Sequence, residues 1–149
     1  MLFRSSYGFA HYQAKSYDSA IAVFGIYKQK YPDEVFGYLW SARANNALDS
    51  NAEKGAAMDD YVKLIEVAKK ADSVKYKALI IESYFYLAGY SNNVKKDKPA
   101  AIDFLQKVLD IDPNNATAKQ YIDVLSKPTK TAPPKQPAAK PKAAGAASR

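Results

Sequence analysis

Apolar side chains recur at helical spacing along almost the whole of residues 1–126. In the clearest stretch they follow the spacing that places side chains on one face of a helix, at Tyr17, Ala20, Ile21, Phe24, Tyr27 and Tyr31. No segment shows the alternation of polar and apolar residues, bounded by turns, that marks a hairpin strand. The sequence therefore predicts an all-α chain with seven helices, near 2–14, 17–31, 34–48, 53–70, 73–91, 98–111 and 115–126.

Start and stop signals delimit these helices. Tyr31-Pro32-Asp33 ends the second helix, because proline disfavours helical backbone in the residue before it. Lys28 lies near the end of that helix, where the helix dipole favours a cation. Asp97 and Asn115 stand just before the sixth and seventh helices, where such side chains cap free amide groups.

Residues 127–149 differ in physical type from the rest of the chain. They hold five of the eight prolines and seven alanines, with no aromatic or large aliphatic side chain. Such a segment cannot bury enough apolar area to offset the entropy of ordering it, so a disordered or polyproline-like tail is predicted. Six of the 22 Lys and Arg residues lie in it, which leaves 16 against 15 acidic residues in 1–126. The predicted folded domain, residues 1–126, is therefore nearly neutral.

Five residues of the first two helices have the spacing of a known repeat: Gly8, Tyr17, Ala20, Phe24 and Pro32. In these residues the sequence resembles the tetratricopeptide repeat (TPR) family. By that resemblance, Gly8 and Ala20 let the two helices of a hairpin approach closely. Phe24 fills the space between this hairpin and the next repeat, and Pro32 ends the second helix.

Two further copies match the repeat less completely. The second copy has Tyr38 where the family prefers tryptophan, and then small and apolar residues in register at Ala42, Ala57, Tyr61 and Leu64. The third copy is carried by Tyr84, Leu87, Ala88, Ala101, Leu105, Val108 and Pro113. The final helix, 115–126, has a polar side and is expected to cap the array.

The resemblance implies a right-handed α-solenoid of about three TPR-like hairpins plus a C-terminal capping helix, followed by the tail. The first repeat starts almost at residue 1 and has no comparable cap. We therefore expect either the C-terminal part of a longer array or self-association through this end. The alternative is that Arg4, Ser5 and Ser6 make this edge tolerable in water.

Residues suited to catalysis are sparse. The chain has no cysteine and a single histidine, His11, which excludes thiolate chemistry and the common zinc sites. His11 falls where the family usually has a packed tyrosine, so a partly buried role is predicted. Asp59 and Asp60 are neighbours on a helix and do not face each other, so they are interpreted as solvated charges. No phosphate loop or nucleophile motif is present, and we expect no enzyme, metal or cofactor.

In the TPR family the first helix of each repeat lines a concave groove, and the resemblance extends this role to nine residues here. They are Ser5, Phe9, Tyr12, Phe36, Leu39, Arg43, Asn46, Phe85 and Asn92. Glu82 is expected on the same surface. The aromatic residues are predicted either to receive apolar side chains of a partner or to be core. Arg43, Asn46 and Asn92 are predicted to bond a partner's backbone or a carboxylate.

The sequence favours a protein-binding adaptor or scaffold, whose partner is a peptide or helix of unknown identity. The basic clamp that some family members use for chaperone tails is disfavoured, because its positions are occupied by Ser5, Phe9, Leu39 and Phe85. The alternative is that the tail binds an anionic polymer or surface, namely nucleic acid, acidic lipid or a cell-wall polymer. No secretory signal is present, so the expected compartment is the cytoplasm, or the periplasm for a fragment of an exported protein.

Overall fold

The computed structural model describes residues 2–127, with side chains from Ser6 onward. This part of the chain is built of helices without strands: α1 (Leu2–Gln13), α2 (Tyr17–Lys30), α3 (Val35–Leu48), α4 (Met58–Asp72), α5 (Lys77–Asn93), α6 (Lys98–Ile111) and α7 (Ala116–Ser126). The predicted all-α class and the order of the seven helices are confirmed. The predicted tail, residues 127–149, lies outside the described residues except for Lys127.

Each helix packs mainly against its neighbours in sequence, from α1 on α2 through to α6 on α7, and α1 also touches α3. The helices therefore form three hairpins, α1–α2, α3–α4 and α5–α6, with α7 packed on the last. One apolar core runs from α3 to α7, and a smaller one, centred on Phe24, joins α2 to α3. Because contacts are local along the chain, the molecule is a helical-repeat solenoid, as the resemblance to the TPR family implied.

The first hairpin depends on a close approach between α1 and α2. Phe24 and Ala20 on α2 are fully buried. A Cβ atom placed on Gly8 of α1 would lie 2.8 Å from two ring atoms of Phe24, closer than real Cβ atoms come. The Phe24 ring also meets Phe36 of α3 edge-on, with centroids 5.9 Å apart. Gly8, Ala20 and Phe24 thus have the packing roles that the repeat pattern predicted.

The fourth helix begins at Met58, five residues later than predicted. Ala52 and Gly55 have φ values of 54° and 63°, a left-handed backbone that interrupts a helix. The Asp49 carboxylate accepts hydrogen bonds from the amides of Lys54 at 3.0 Å and Ala56 at 3.5 Å, so it holds this turn together. The connection between α3 and α4 is therefore a structured turn rather than the first turns of a helix.

Asp72 has a similar effect on the start of α5, which begins at Lys77 and not at residue 73. Its carboxylate accepts hydrogen bonds from the amides of Val74 at 3.0 Å and Lys75 at 2.9 Å. The predicted caps of the last two helices are confirmed. Asp97 accepts from the amide of Ala100 and Asn115 from that of Ala118.

A buried polar cluster joins three helices. Lys28 of α2 forms an ion pair with Asp60 of α4, and Ser41 of α3 bonds both, at 3.0 Å to Lys28 Nζ and 2.6 Å to Asp60 Oδ2. Asn45 adds a longer bond of 3.4 Å to the same carboxylate. The interpretation of Asp60 as a solvated charge is wrong, since it is only 8% exposed. Its position on the inner side of α4 faces α2 and α3, whereas its neighbour Asp59 faces solvent.

Replacing Phe24 by Ala is expected to lower the free energy of unfolding by about 3–5 kcal/mol, because it leaves a cavity at a fully buried position. Urea denaturation followed by circular dichroism measures the change. Ile26 lies on the same helix but is 55% exposed, so Ile26→Ala is the matched control. That control is expected to change stability by less than about 0.5 kcal/mol. Equal stability of the Phe24→Ala and wild-type proteins would contradict the packing described.

Lys28→Met keeps the side-chain length but leaves the Asp60 carboxylate buried without its cation. We expect a loss of about 2–3 kcal/mol, less than for a fully buried pair, because water reaches part of Lys28. The control is Lys70→Met, which breaks the exposed pair to Asp33 at 2.9 Å and is expected to leave the melting temperature unchanged. If both variants lose the same stability, burial of the pair is not what makes it important.

Candidate functional site

The helices α1, α3, α5 and α7, with the turn 50–52 after α3, form one face of the molecule, here called the groove. Three cavities open on it. They are the α5–α7 cavity of about 400 Å³, the α3–α5 cavity of about 350 Å³ and the α1–α3 cavity of about 280 Å³. None of the residues that line these three cavities is charged. Two of the volumes lie at the lower end of the range for ligand pockets, roughly 300 to 1,000 Å³, and the third lies just below it.

Aromatic rings packed around Trp40 form the α1–α3 end of the groove. The Trp40 ring lies 4.6 Å from Phe9, 5.0 Å from Tyr12 and 6.2 Å from Phe36, between centroids. All four rings are half-buried. Each therefore contributes to the packing and still presents an accessible edge. Sequence reasoning missed Trp40, although its spacing of four residues after Phe36 and three before Arg43 places it on the same helix face.

The other two cavities adjoin each other along α5. Phe85, Gly89 and Asn93 line both of them. The α3–α5 cavity has a polar rim of amides and hydroxyls, supplied by Asn46, Ser50, Asn51 and Asn93. The walls of the α5–α7 cavity are largely apolar, from Phe85, Leu105, Tyr121 and Leu125. The predicted residues Asn46, Phe85 and Asn92 therefore lie around the same part of the groove. Helix α7, which was not predicted to contribute, supplies another wall there.

Two of the predicted groove residues, Leu39 and Ser5, have no described side-chain surface in the groove. Leu39 is 8% exposed and belongs to the core that runs from α3 to α7. It shares a helix face with Val35, one turn earlier, and this face packs inward, so Leu39 offers a partner no surface. The side chain of Ser5 lies outside the described part of the chain.

Arg43 does not project freely into the groove. Its Nε and Nη2 atoms donate to the two carboxylate oxygens of Glu82 on α5, at 2.9 and 2.6 Å, a bidentate pair. Its guanidinium group lies over the Trp40 ring, 5.0 Å from the centroid. The hydrogen bond to Glu82 raises the pKa of Arg43 above its usual range, so the group stays charged. The positive charge that the sequence assigned to a partner's carboxylate is therefore already neutralised within the groove.

Tyr61, on α4, also bonds the carboxylate of this ion pair. Its hydroxyl donates to Glu82 Oε1 at 3.3 Å. Burial and the nearby carboxylate raise the pKa of the Tyr61 phenol, so the hydroxyl keeps its proton and remains a donor. Arg43, Glu82 and Tyr61 thus link α3, α4 and α5 and leave the middle of the groove without net charge.

The polar rim of the α3–α5 cavity lies where two helices end. α3 ends at Leu48 and α5 at Asn93, and the rim residues are at these two ends. The free carbonyl groups of a helix C-terminus carry about half a negative elementary charge. This end of the groove therefore favours hydrogen-bond donors and disfavours carboxylates.

In residues 2–127, no group of three or more His, Asp and Glu side chains is placed to hold a metal ion. His11 is partly buried, as predicted, and stands perpendicular to the Tyr7 ring with centroids 4.5 Å apart. Among the described helices, none is long and apolar enough to span a bilayer.

Arg43→Met is expected to lower the free energy of unfolding by about 1 kcal/mol, because it removes a half-exposed pair and leaves Glu82 without its cation. A double-mutant cycle with Glu82→Gln measures the coupling, which we expect to be of the same order. A coupling of zero would show that the two charges contribute independently to stability.

No protein-family model and no curated protein matches the chain. A solved structure does match: the crystal structure of the C-terminal part of a TPR repeat-containing protein from Cytophaga hutchinsonii, with a TM-score of 0.73 and 35% sequence identity. The alignment covers 80% of this chain and 45% of the solved chain, so this chain spans less than half the length of that structure.

Three lines of observation now agree. The helices pair into consecutive hairpins, small residues stand where the first two helices meet, and the matching crystal structure is that of a TPR protein. The chain therefore has the helical-repeat fold of the tetratricopeptide-repeat type.

Proposed function

We propose that this chain is a non-catalytic adaptor whose groove binds a segment of a partner protein. The repeat fold is one that mediates protein–protein contacts, and the likeness to a TPR protein supports this general role. One observation supports the groove as the binding surface: three uncharged cavities of about 280 to 400 Å³ lie along it, two of them adjoining, and each has aromatic side chains in its wall.

The chemistry of this face suits a peptide. Half-buried aromatic rings give large contact areas at little entropic cost and are enriched among residues that dominate binding energy. Trp40 at one end and Phe85 and Tyr121 at the other supply such rings. The amides of Asn46, Asn51 and Asn93 between them can both donate and accept hydrogen bonds, so they match the backbone of a bound segment.

Two further predictions from the sequence stay predictions. Binding of an anionic polymer through the basic residues 127–149 concerns a segment that lies almost wholly beyond the described residues. Self-association through the first hairpin is the other. That hairpin exposes Tyr7 by 60% and Ile26 by 55%.

The proposal is tested by capturing partners from a cell extract with the full-length protein and two variants of α7. Tyr121 is 53% exposed and lines the α5–α7 cavity, while Val124 is 55% exposed on the same helix and lines none of the three cavities. Tyr121→Lys is expected to lose the captured protein, because it places a charge in an apolar wall. Val124→Lys is expected to retain it.

The salt dependence of capture separates the groove from the tail. Retention that survives moderate salt and fails only in Tyr121→Lys supports the groove. Retention that disappears with salt and is the same for both variants would instead assign binding to the basic residues 127–149, since such contacts weaken steeply as salt rises.

A further inference from the structure

Gly89 lies in the interior of α5 without a packing or backbone reason to be glycine. A Cβ atom placed there would meet no heavy atom within 4 Å, and its φ is not positive. At Gly8, Gly37 and Gly55, in contrast, a Cβ would lie 2.7 to 2.8 Å from a neighbouring ring. Glycine inside a helix is destabilising relative to alanine. What its missing side chain provides here is space, because Gly89 forms part of the floor of the two adjoining cavities.

The space above Gly89 suits a large apolar side chain. The α5–α7 cavity has a volume of about 400 Å³, and an enclosed apolar cavity of roughly 150 Å³ already holds a benzene molecule. Phe85, Leu105 and Leu125 give it apolar walls, and none of its lining residues is charged. The charges of Arg43 and Glu82 are bonded to each other, and Lys95, near the adjoining cavity, lies over the Tyr90 ring. A charged side chain would therefore lose its hydration without gaining a partner.

The chain's own C-terminal segment does not supply such a side chain. Residues 128–149 follow α7 in sequence, but they contain no aromatic residue and no Leu, Ile, Val or Met. Their charged residues are all basic. Residues 128–149 are therefore not the occupant of the cavity.

The rim beside the cavity indicates the conformation of that occupant. Asn46 and Asn93 present amides that both donate and accept hydrogen bonds. The backbone of an extended segment has free N–H and C=O groups to pair with them, whereas the backbone of a helix is already paired within itself. The nearby C-terminal ends of α3 and α5 add partial negative charge, which disfavours acidic side chains.

We propose that the α5–α7 cavity, with Gly89 at its floor, receives one large apolar side chain of an extended, uncharged segment of another protein. The amides of Asn46 and Asn93 bond the backbone of that segment. This inference rests on the proposed function and specifies the class of partner that the groove selects.

The first step of the test is selection of a displayed library of random peptides on the immobilised full-length protein. The enriched peptides are expected to share one large apolar residue, such as Phe, Leu or Met, within an uncharged stretch depleted of Asp and Glu. The best peptide, synthesised with blocked ends and a fluorophore, then gives an affinity by fluorescence anisotropy. That affinity is expected to change little when salt is raised about tenfold, because no ion pair is formed.

Two matched glycine variants locate the binding site. Gly89→Leu places a side chain inside the cavity and is expected to weaken binding of the peptide at least about tenfold. Gly25→Leu is the control, because Gly25 also lies inside a helix with no heavy atom within 4 Å of its Cβ and lines none of the three cavities. It is expected to keep the affinity within about twofold. Both variants should melt no lower than wild type, because leucine favours a helix more than glycine does.

A smaller substitution at the same position tests the inference even if leucine disturbs the packing of α5. Gly89→Ala adds one methyl group to the cavity floor and is expected to weaken the peptide less than Gly89→Leu, while raising the melting temperature. A graded loss across the two variants, with Gly25→Leu unaffected, supports the inference.

Three outcomes would overturn the inference. Enrichment of acidic peptides would refute it, and so would peptides whose affinity is unchanged by Gly89→Leu. Either result would remain compatible with binding elsewhere in the groove. A concentration-dependent dimer that Gly89→Leu disrupts would show that a second copy of this chain is the occupant. Failure of the library to yield any binding peptide would count against the proposed function as well.

Discussion

The stacking of these helices depends on two places where backbone and aromatic ring touch directly. At Gly8 the backbone of α1 lies against the Phe24 ring, and at Gly37 the backbone of α3 lies against the Tyr27 ring, with no room for a Cβ atom in either place. Phe24 and Tyr27 are one turn apart on α2, so α2 is packed closely against α1 through one ring and against α3 through the other. The distance and angle between the first two repeats follow from these contacts. The groove on α1 and α3 exists because the two helices are set at that distance.

Much of the fold could be predicted because its signals are local. The apolar spacing within each helix, the capping residues Asp97 and Asn115 and the small residue at Gly8 all act within one hairpin. The starts of α4 and α5 were missed because Asp49 and Asp72 bind amides in the turns that follow them, and such turns differ little in composition from a helix start. The repeat pattern then supplied the order in which hairpins stack.

The candidate site was predicted less well, because it depends on how helices face one another. Successive residues on a helix point about 100° apart, so a small error in rotation exchanges the buried Leu39 for the half-buried Trp40. The ion pairs that decide the charge of the surface join residues far apart in sequence, Lys28 to Asp60 and Arg43 to Glu82. Nothing within either helix alone indicates these pairings. The neutrality of the groove is therefore a property of the stacked array.

The last helix has a double role that bears on how the array behaves at its end. α7 packs mainly on α6 and has one fully buried side chain, Ala118. An element with so few buried contacts opens at a lower free-energy cost than the domain as a whole. Because α7 forms one wall of the α5–α7 cavity, each opening of the helix also abolishes the cavity. Occupancy of that cavity and fraying of α7 therefore exclude each other. By mass action, a bound segment would raise the free energy needed to detach α7 from the rest of the solenoid.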